Sequence, residues 1–376
     1  MPESLQFVIR NNTDSPSCFA YITGLALQRD NQRCFVKGDG SLHFPSAPES
    51  GAILQPLAED CAIPLGEPGN ETTIKVPQIA GGRVWISRDK KLAFLVNPGP
   101  ALVEPSVLNP SDPNADVDFG FVEFTLNDSQ LYANISFVDF VPRLPMGIEL
   151  ETASGAHTKV SGLPPDGINQ IADRLKGQAG GDNTPWDKLI VPDKENGSPL
   201  RVLNATHGGT VGADFGAYFD SYVSKVWDKY SKDEELTIDT QCDTGVVKGK
   251  VNGSGELDFG DGLTFARPST ADVLGCNSGP FTTGPDPRRN AIIPRLAAGF
   301  VRGTLLNETN HPSDPAGFYK DQTVHHYSRI VHEVNSDGKG YAFAYDDVDP
   351  TGGEDQSGKV NAGDPTVFRI ILGGRD

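Results

Sequence analysis

Short apolar runs in the first 160 residues alternate with polar residues and are separated by clusters of Gly, Pro, Asn and Asp. Successive side chains of a strand point to opposite faces, so this period of two predicts a series of short strands. The strands are expected within LQFVIRN, YITGLALQ, CFVKG, TTIKVPQI, GRVWISRD and LAFLVN. Their regular spacing is typical of a β-sandwich or barrel. The Pro-rich segment 97–120 is expected to be a long ordered loop on the surface or along a cleft, because Pro cannot donate to a strand ladder.

After residue 162, apolar residues recur every three or four positions, which predicts helices. One helix is expected in PPDGINQIADRLKGQ, with Asp166 as its N-cap. Its buried face is expected to contain Ile168, Ile171, Ala172 and Leu175. A longer helix is expected from about residue 213 to 230, and two more lie within NAIIPRLAAGFVRGTLL and PAGFYKDQTVHHYSRIVHEV.

The same part of the chain also carries strand patterns. An antiparallel meander is expected from LTIDTQ, VVKGKVN, ELDFG and LTFARP, with the turns NGSG and GDG between strands. The closing segments KGYAFAYDDV and TVFRIIL are strand-like as well. The predicted fold class is therefore α+β. We expect a β-sandwich or barrel domain at residues 1–162 and a mixed α/β domain at residues 163–376, which together form a wide groove.

The charge balance limits the partners. The 376 residues carry 32 Lys+Arg and 50 Asp+Glu, a net charge of −18. Phosphate backbones are repelled by such a surface, so nucleic acid is not an expected partner, whereas neutral polysaccharides are indifferent to net charge. No stretch approaches the roughly 18–20 apolar residues of a membrane-spanning helix, so no membrane partner is expected. We expect a monomer.

Cysteines and glycosylation sequons bear on the cellular compartment. The five cysteines are widely spaced with no CxxC motif, which fits one or two disulfides plus an odd thiol rather than a zinc site or redox pair. Eight Asn-x-Ser/Thr sequons occur where chance would give about two or three. We therefore expect a secreted, extracellular protein, although the N-terminus has neither the basic region nor the apolar region of a signal peptide.

Common catalytic signatures are absent from the sequence, including GxSxG, the phosphate-binding loop and HExxH. His325 and His332 would share a helical face, but two turns apart, a poor spacing for one metal ion. The acidic loop from Asp346 to Glu354 resembles the start of a calcium site, but the twelfth position counted from Asp347 is Gly358 instead of Glu. We expect no metal and no cofactor.

The informative segment is 118–150. In FVEFTLN, Val122, Phe124 and Leu126 alternate with Glu123, Thr125 and Asn127. The second set has one carboxylate, one hydroxyl and one amide on the same face of the strand. If the second set lines a cleft, its groups suit a carbohydrate, because hydroxyl and amide groups bind sugar hydroxyls and a carboxylate can act on a glycosidic oxygen. The alternative is a plain amphipathic strand with a polar outer face.

A second carboxylate, Asp139, follows Glu123 by sixteen residues, at the end of the next predicted strand. A tight turn at Asp128-Ser129 would pair Glu123 with Asn134 and leave Asp139 roughly 16 Å farther along at ~3.3 Å per residue. A wider loop through residues 131–133 would bring the two carboxylates nearly opposite each other.

The position of Asp139 along its strand adds a condition. It has the same parity as Ile135 and Phe137, which are expected in the core. Asp139 must therefore lie at the end of the strand or on a bulge that redirects its side chain.

Several long segments resemble fungal members of glycoside hydrolase family 64, which are β-1,3-glucanases with a thaumatin-like β-domain. They are NPGPALVEPSVLNPSDPN, FGFVEFTLNDSQLYANISFVDFV, HHYSRIVHEVNSDGKGYAFAYDDV and DQSG. The likeness extends from RNNT near the start to the closing ILGG. One departure is Pro142-Arg143, where the family usually passes directly from V-D-F-V to a G-L-P segment.

The resemblance implies an inverting hydrolase that cleaves β-1,3-glucan to short oligosaccharides in a wide groove. Its two catalytic carboxylates match Glu123 and Asp139, and two further groove positions match Thr125 and Asn127. We expect Glu123 to protonate the leaving oxygen and Asp139 to activate water, with carboxyl groups ~6.5–9.5 Å apart. The alternative is a non-catalytic thaumatin-like glucan-binding protein.

Two further expectations concern the groove. Tyr132, or one of Trp85 and Trp186, is a candidate to stack on a sugar ring. Asn127 begins a sequon. A glycan there would block the groove, so Asn127 is expected to be unmodified.

Overall fold

Strands dominate the first part of the chain in the computed structural model, which describes residues 3–49 and 51–374. The strands up to residue 160 are β1 Ser4–Asn11, β2 Cys18–Ala26, β3 Gln32–Val36, β4 Leu42–His43, β5 Gln55–Pro56, β6 Ile63–Pro64, β7 Glu71–Pro77, β8 Ile79–Arg88, β9 Leu95–Asn97, β10 Ala101–Val103, β11 Asp118–Leu126, β12 Leu131–Ile135, β13 Phe140–Pro142, β14 Met146–Thr152 and β15 His157–Val160.

Helices and strands mix in the second part. The α-helices are α1 Gly167–Asp182, α2 Asp220–Tyr230, α3 Thr270–Gly275, α4 Pro287–Val301 and α5 His326–Val334. The strands are β16 Ile190–Pro192, β17 Pro199–Leu203, β18 Leu236–Asp239, β19 Val246–Val251, β20 Leu257–Asp258, β21 Thr264–Phe265, β22 Asn310–His311, β23 Lys359–Ala362 and β24 Pro365–Leu372. Short 3₁₀ helices cover Trp186–Leu189, Ala205–Val211, Gly279–Phe281 and Pro315–Gly317. The fold is mixed α+β, as the sequence predicts.

Two large sheets hold most of the strands of the first part. One has the order β15-β14-β24-β1-β7, and the other has the order β23-β12-β11-β8-β2-β3-β4, with β6 also paired to β2. The final strand β24 is parallel to β1, with Phe7 opposite Phe368, and antiparallel to β14. The strands β23 and β24 from the end of the chain therefore complete sheets built by residues 4–160. The division into two domains at residue 162 stays a prediction. Strands β23 and β24, which it assigns to the second domain, belong to the sheets of the first part.

The main core lies where these two sheets pack together. The Phe7 ring contacts Phe124 of the other sheet edge to face, with centroids 5.0 Å apart, and Phe368 of its own sheet at 4.9 Å. Val122 and Leu126 are buried in the same cluster, as the alternation in β11 predicts. Their neighbours Glu123 and Thr125 are half-buried on the opposite face.

A second, aromatic cluster covers part of the other face of β11. Phe119 and Phe121 have the same parity as Glu123, and their rings pack against Trp85 and Phe140. The predicted loop 97–120 was only partly correct. It contains the short strand β10, which pairs with β9, and its last residues begin β11.

Most predicted elements of the second part are present, with three corrections. The buried face of α1 is the predicted one, but Asp166 makes no capping hydrogen bond and accepts instead from the side chain of Asn169. The second helix begins at Asp220 and not near residue 213, since the chain before it forms turns. The strand expected in KGYAFAYDDV is replaced by turns, because the Asp346 carboxylate accepts from the backbone N–H of Ala342.

The cysteines and sequons do not support the expectations placed on them. All five cysteines are free thiols, so the predicted disulfides are wrong; four of them are buried. Three sequon asparagines, Asn11, Asn134 and Asn204, are buried and unsuited to carry a glycan. Secretion stays a prediction, as does the monomeric state. Among residues 3–49 and 51–374, no helix has the length and apolar character needed to span a bilayer.

At Gly162, just after β15, the packing leaves no room for a side chain. Its φ is +68°, and a Cβ there would collide with the backbone oxygen of Met146. Gly155, in the β14–β15 turn, has a φ of +85° with nothing within 4 Å of an added Cβ. We expect Gly155→Ala to cost about 1–2 kcal/mol from backbone strain alone. Gly162→Ala should cost about 2–5 kcal/mol, since overpacking adds to the same strain.

Urea unfolding of both variants at one pH measures this difference. Equal losses of unfolding free energy in the two variants would contradict the close approach at Gly162.

Candidate active site

The β11–β12 hairpin has the tighter of the two registers considered above. Glu123 lies opposite Asn134, and Thr125 lies opposite Tyr132. The turn is closed by Asn127, whose side-chain oxygen accepts from the backbone N–H groups of Ser129 and Gln130. The structure therefore places Asn127 in the turn, and it is not among the described residues that line the cleft around Glu123.

Asp139 nevertheless reaches the same cleft as Glu123. Strand β12 ends at Ile135, and the next residue, Ser136, makes a single bridge to Tyr341. Residues 138–139 then form a bend before β13. Because the chain turns here and does not extend the ladder, the carboxylate of Asp139 is redirected into the cleft. The parity argument required a strand end or a bulge at Asp139, and the structure shows a bend after the end of β12.

The cleft has a volume of about 700 Å³ and a mixed polar and apolar wall. It brings together four of the five predicted site residues, namely Glu123, Thr125, Tyr132 and Asp139. The polar residues that sequence reasoning did not assign to the site are Arg33, Arg83, Glu104, Asn134, Ser136, Tyr341 and Asp347. Arg83 and Asp347 make direct contacts with the predicted residues.

Arg83 is the cross-strand neighbour of Glu123, on β8. Its guanidinium donates to Glu123 Oε1 through Nε at 3.3 Å and Nη2 at 3.2 Å, and to Glu104 Oε2 through Nη1 at 3.3 Å. The guanidinium also lies 4.7 Å from the centroid of the Phe121 ring, a cation–π distance. One half-buried cation therefore holds two carboxylates. The available sequence signal for it was a charged residue directly before VWIS in the predicted strand GRVWISRD.

Asp139 is held by a different group, His207. The imidazole Nε2 lies 3.0 Å from Asp139 Oδ1. This hydrogen bond lowers the pKa of Asp139 below its ordinary value against the opposing effect of burial, and the charge of Arg83 contributes in the same direction. These surroundings favour the ionised form of Asp139. No local pattern in the sequence pointed to His207, which is 68 residues away.

Tyr132 is fixed by a third carboxylate. Its hydroxyl donates to Asp347 Oδ2 at 3.2 Å, and burial raises its pKa, so the phenol is neutral. Of the other aromatic residues considered for stacking on a sugar, Trp85 and Trp186 are 1% and 0% exposed. Both belong to packed clusters and cannot reach a ligand. Tyr132 is the candidate that remains.

The histidines and acidic residues considered as metal ligands have other partners. His325 is fully buried and accepts from the Ser328 side chain or backbone through Nδ1, and burial lowers its pKa to about 3. His332 Nε2 contacts Asp346 Oδ2 at 2.9 Å, and Asp349 pairs with Lys359. In the part of the chain that the structure describes, no group of three or more His, Cys, Asp or Glu is arranged to hold an ion.

Comparison with known proteins gives the family. The family described as Beta-1,3-glucanase, glycoside hydrolase family 64, matches residues 3–372. The chain belongs to this family. A solved structure of a laminaripentaose-producing β-1,3-glucanase in complex with laminaritetraose has a TM-score of 0.86 and 33% identity, with 99% of each chain covered. A family 64 domain from Clostridium beijerinckii has a TM-score of 0.77 at 24% identity, with 98% of each chain covered, and shares the fold.

Two curated relatives are named glucan endo-1,3-β-glucosidase. The protein of Cellulosimicrobium cellulans is 31% identical over 358 residues, and that of Arthrobacter sp. (strain YCWD3) is 31% identical over 362 residues. Each alignment covers 93% of this chain and 62% of the relative, so the chain spans about three-fifths of their length. Both relatives are bacterial, so they give no support to a resemblance to fungal members in particular.

The contacts of Arg83 with both Glu104 and Glu123 allow a test of how much this cation stabilises the fold. Arg83→Met leaves Glu104 and Glu123 near each other without their cation. We expect a loss of about 1–3 kcal/mol in unfolding free energy at pH 7, because a half-buried pair is broken by removing one partner. Adding Glu104→Gln to Arg83→Met should recover part of this loss, since one of the two facing charges is removed.

Chemical denaturation of the wild type, the two single variants and the double variant completes the cycle. A double variant no more stable than Arg83→Met would show that the two carboxylates do not share the cation.

Proposed function

We propose that this family 64 chain hydrolyses β-1,3-glucan to short oligosaccharides by general acid–base catalysis with inversion at the anomeric carbon. The observation that carries the proposal is the convergence of Glu123 and Asp139, from separate segments, on one cleft. Each carboxylate has its own partner, Arg83 for Glu123 and His207 for Asp139. A pair of carboxyl groups in distinct surroundings is the arrangement that glycoside hydrolysis requires.

Asp139 is assigned the role of base. The His207 hydrogen bond and the lowered pKa favour its ionised form, which can accept a proton from water. As the water oxygen forms its bond to the anomeric carbon, the water loses one proton to Asp139. Since attack comes from the face opposite the leaving group, the configuration at that carbon inverts.

Glu123 is assigned the role of acid. It transfers its proton to the glycosidic oxygen as the bond between that oxygen and the anomeric carbon breaks. The reaction leaves Glu123 as a carboxylate, and Arg83 lies 3.2 Å from its Oε1, where it stabilises the new charge. Because Arg83 pairs with Glu123 in this structure, Glu123 must take up a proton before it can act as the acid.

The groups around the two carboxylates suit a neutral polysaccharide. Thr125, Tyr132, Asn134 and Ser136 supply hydroxyl and amide groups along the wall, and Asn134 Oδ1 has no hydrogen-bond partner among the described residues. Sugar hydroxyls are recognised by such groups. The relative crystallised with laminaritetraose supports the choice of a β-1,3-glucan. We further propose that the two packed sheets form the thaumatin-like β-domain that the resemblance implies, with the cleft as the open groove.

Carboxylate substitutions test the assignment. Glu123→Gln and Asp139→Asn keep the shape of each side chain but remove its proton chemistry. We expect each to reduce laminarin hydrolysis by about 10²–10⁴-fold, the contribution of a general acid or base, with the fold retained. The measurement is reducing-sugar release, with circular dichroism for folding.

A matched control is Glu151→Gln, which breaks a comparable Glu–Arg pair, with Arg369, on the other large sheet. It should leave hydrolysis unchanged. Activity within tenfold of the wild type in Glu123→Gln or Asp139→Asn would refute the assignment. Wild-type chain that binds laminarin without releasing products would support the non-catalytic alternative.

The stereochemistry of the product is a second test. Inversion at a β-linkage gives a new reducing end that is first released as the α-anomer. Proton NMR within the first minutes, before mutarotation mixes the anomers, should therefore show the α signal growing first. Initial release of the β-anomer would instead indicate a covalent intermediate and would contradict the roles given to the two carboxylates.

A further inference from the structure

The segment that follows β17 lies directly against Asp139. Strand β17 is antiparallel to β13, with Leu203 opposite Phe140. The residue that follows Leu203 therefore meets the residue that precedes Phe140. The backbone N–H of Asn204 donates to the backbone oxygen of Asp139 at 2.9 Å. The pairing of two short strands thus fixes the backbone of Asp139, although the bend itself belongs to no ladder.

The same segment places His207. The side-chain oxygen of Asn204 accepts from the backbone N–H of Thr206 and begins the 3₁₀ helix Ala205–Val211. The Asn204 amide also donates to the backbone oxygen of Ala342. Since Asn204 is 1% exposed and held on both sides, the helix that carries His207 has a fixed position relative to the bend.

The contact between His207 and Asp139 has a definite direction. An ionised carboxylate only accepts hydrogen bonds, so Nε2 of His207 carries the hydrogen and donates to Oδ1. Oδ2 has no hydrogen-bond partner among the described residues. His207 is outside the lining of the cleft and keeps 21% of its side-chain surface exposed. It contacts Asp139 through Oδ1 and is not one of the residues that form the cleft wall.

Three titratable groups face Asp139 from the elements around it. His207 approaches from the 3₁₀ helix, and Arg83 acts on it from β8. The third, Tyr327 of α5, is buried, and its hydroxyl donates to the backbone oxygen of Phe137. Of these groups, His207 is the one that makes a hydrogen bond to the carboxylate.

We propose that His207 is a positioning residue for the proposed hydrolysis: it occupies Oδ1 of Asp139, keeps that carboxylate ionised and leaves Oδ2 as the oxygen that takes the proton from water. The role rests on the function proposed above. It makes the ionisation of the base depend on a side chain outside the lining of the cleft. A purely structural His–Asp contact would instead contribute to folding and leave the ionisation of the base unchanged.

The pH dependence of hydrolysis separates the two possibilities. On the acid limb of the kcat/KM profile, activity requires the base to be ionised. Because the hydrogen bond lowers the pKa of Asp139, His207→Phe should move this limb to higher pH. We expect a roughly tenfold loss of kcat/KM on the acid limb and a smaller loss on the plateau. His207→Gln, which retains a donor N–H, should restore the wild-type limb at least in part.

His157→Phe is the matched control. This histidine also faces a carboxylate, Glu149, at 3.5 Å, but it lies on β15, outside the cleft. Its substitution should leave the profile unchanged. A His207→Phe profile that drops evenly at every pH, with the acid limb in its original place, would overturn the proposal.

A measurement that does not use activity covers the case in which His207→Phe fails to fold. In the full chain labelled with ¹⁵N-histidine, the Nε2 signal of His207 should change as Asp139 takes up a proton in acid, and Asp139→Asn should abolish that change. Absence of the acid transition in the wild type would refute the hydrogen bond. If the transition is present but no pH gives laminarin hydrolysis, the proposed function fails and the contact itself stands.

Discussion

The packing of Phe124 between the two large sheets fixes the orientation of the whole site. Its ring meets Phe7 of the facing sheet, and Val122 and Leu126 are buried on either side of it. Because side chains alternate along a strand, Glu123 and Thr125 must then face away from the core. A shift of one residue would bury the carboxylate and expose three apolar side chains. The strand is therefore held in register by the core, and the polar face is the consequence.

The two carboxylates of the site are held in different ways. Glu123 lies in the middle of a ladder and meets Arg83 straight across it, so its partner is set by register alone. Asp139 lies in a bend, where no ladder can fix it. It is held by the segment after β17, through its backbone and through its side chain. The carboxylate of Glu123 is fixed by its strand ladder, whereas that of Asp139 is fixed by hydrogen bonds from Asn204 and His207 to the bend. In a chain with a net charge of −18, the cationic groups near these two side chains have a strong local effect.

The sequence predicted the parts of the site that depend on local periodicity. Alternation in FVEFTLN identified the buried and polar faces of β11, and parity required a strand end or a bulge at Asp139. The partners of the carboxylates depend on contacts between residues distant in the chain. Arg83 precedes Glu123 by 40 residues. The local sequences of β8 and β11 do not show that these two strands are neighbours. Asn127 was misplaced for a related reason, because its parity is that of Thr125 but the turn uses its side chain. Similarly, a strand was expected in KGYAFAYDDV, but the segment forms turns in which the buried Asp346 carboxylate accepts from the backbone N–H of Ala342.

The insertion of β24 between β1 and β14 has a consequence for biosynthesis. This sheet lacks a central member until residue 372 has left the ribosome, so the edges of β1 and β14 remain open throughout translation. The contact between β1 and β24 forms late, because the strands are far apart in the sequence and their pairing closes a long loop. Completion of this sheet therefore waits for β24 to emerge, and until then the facing edges of β1 and β14 are open to pairing with other strands.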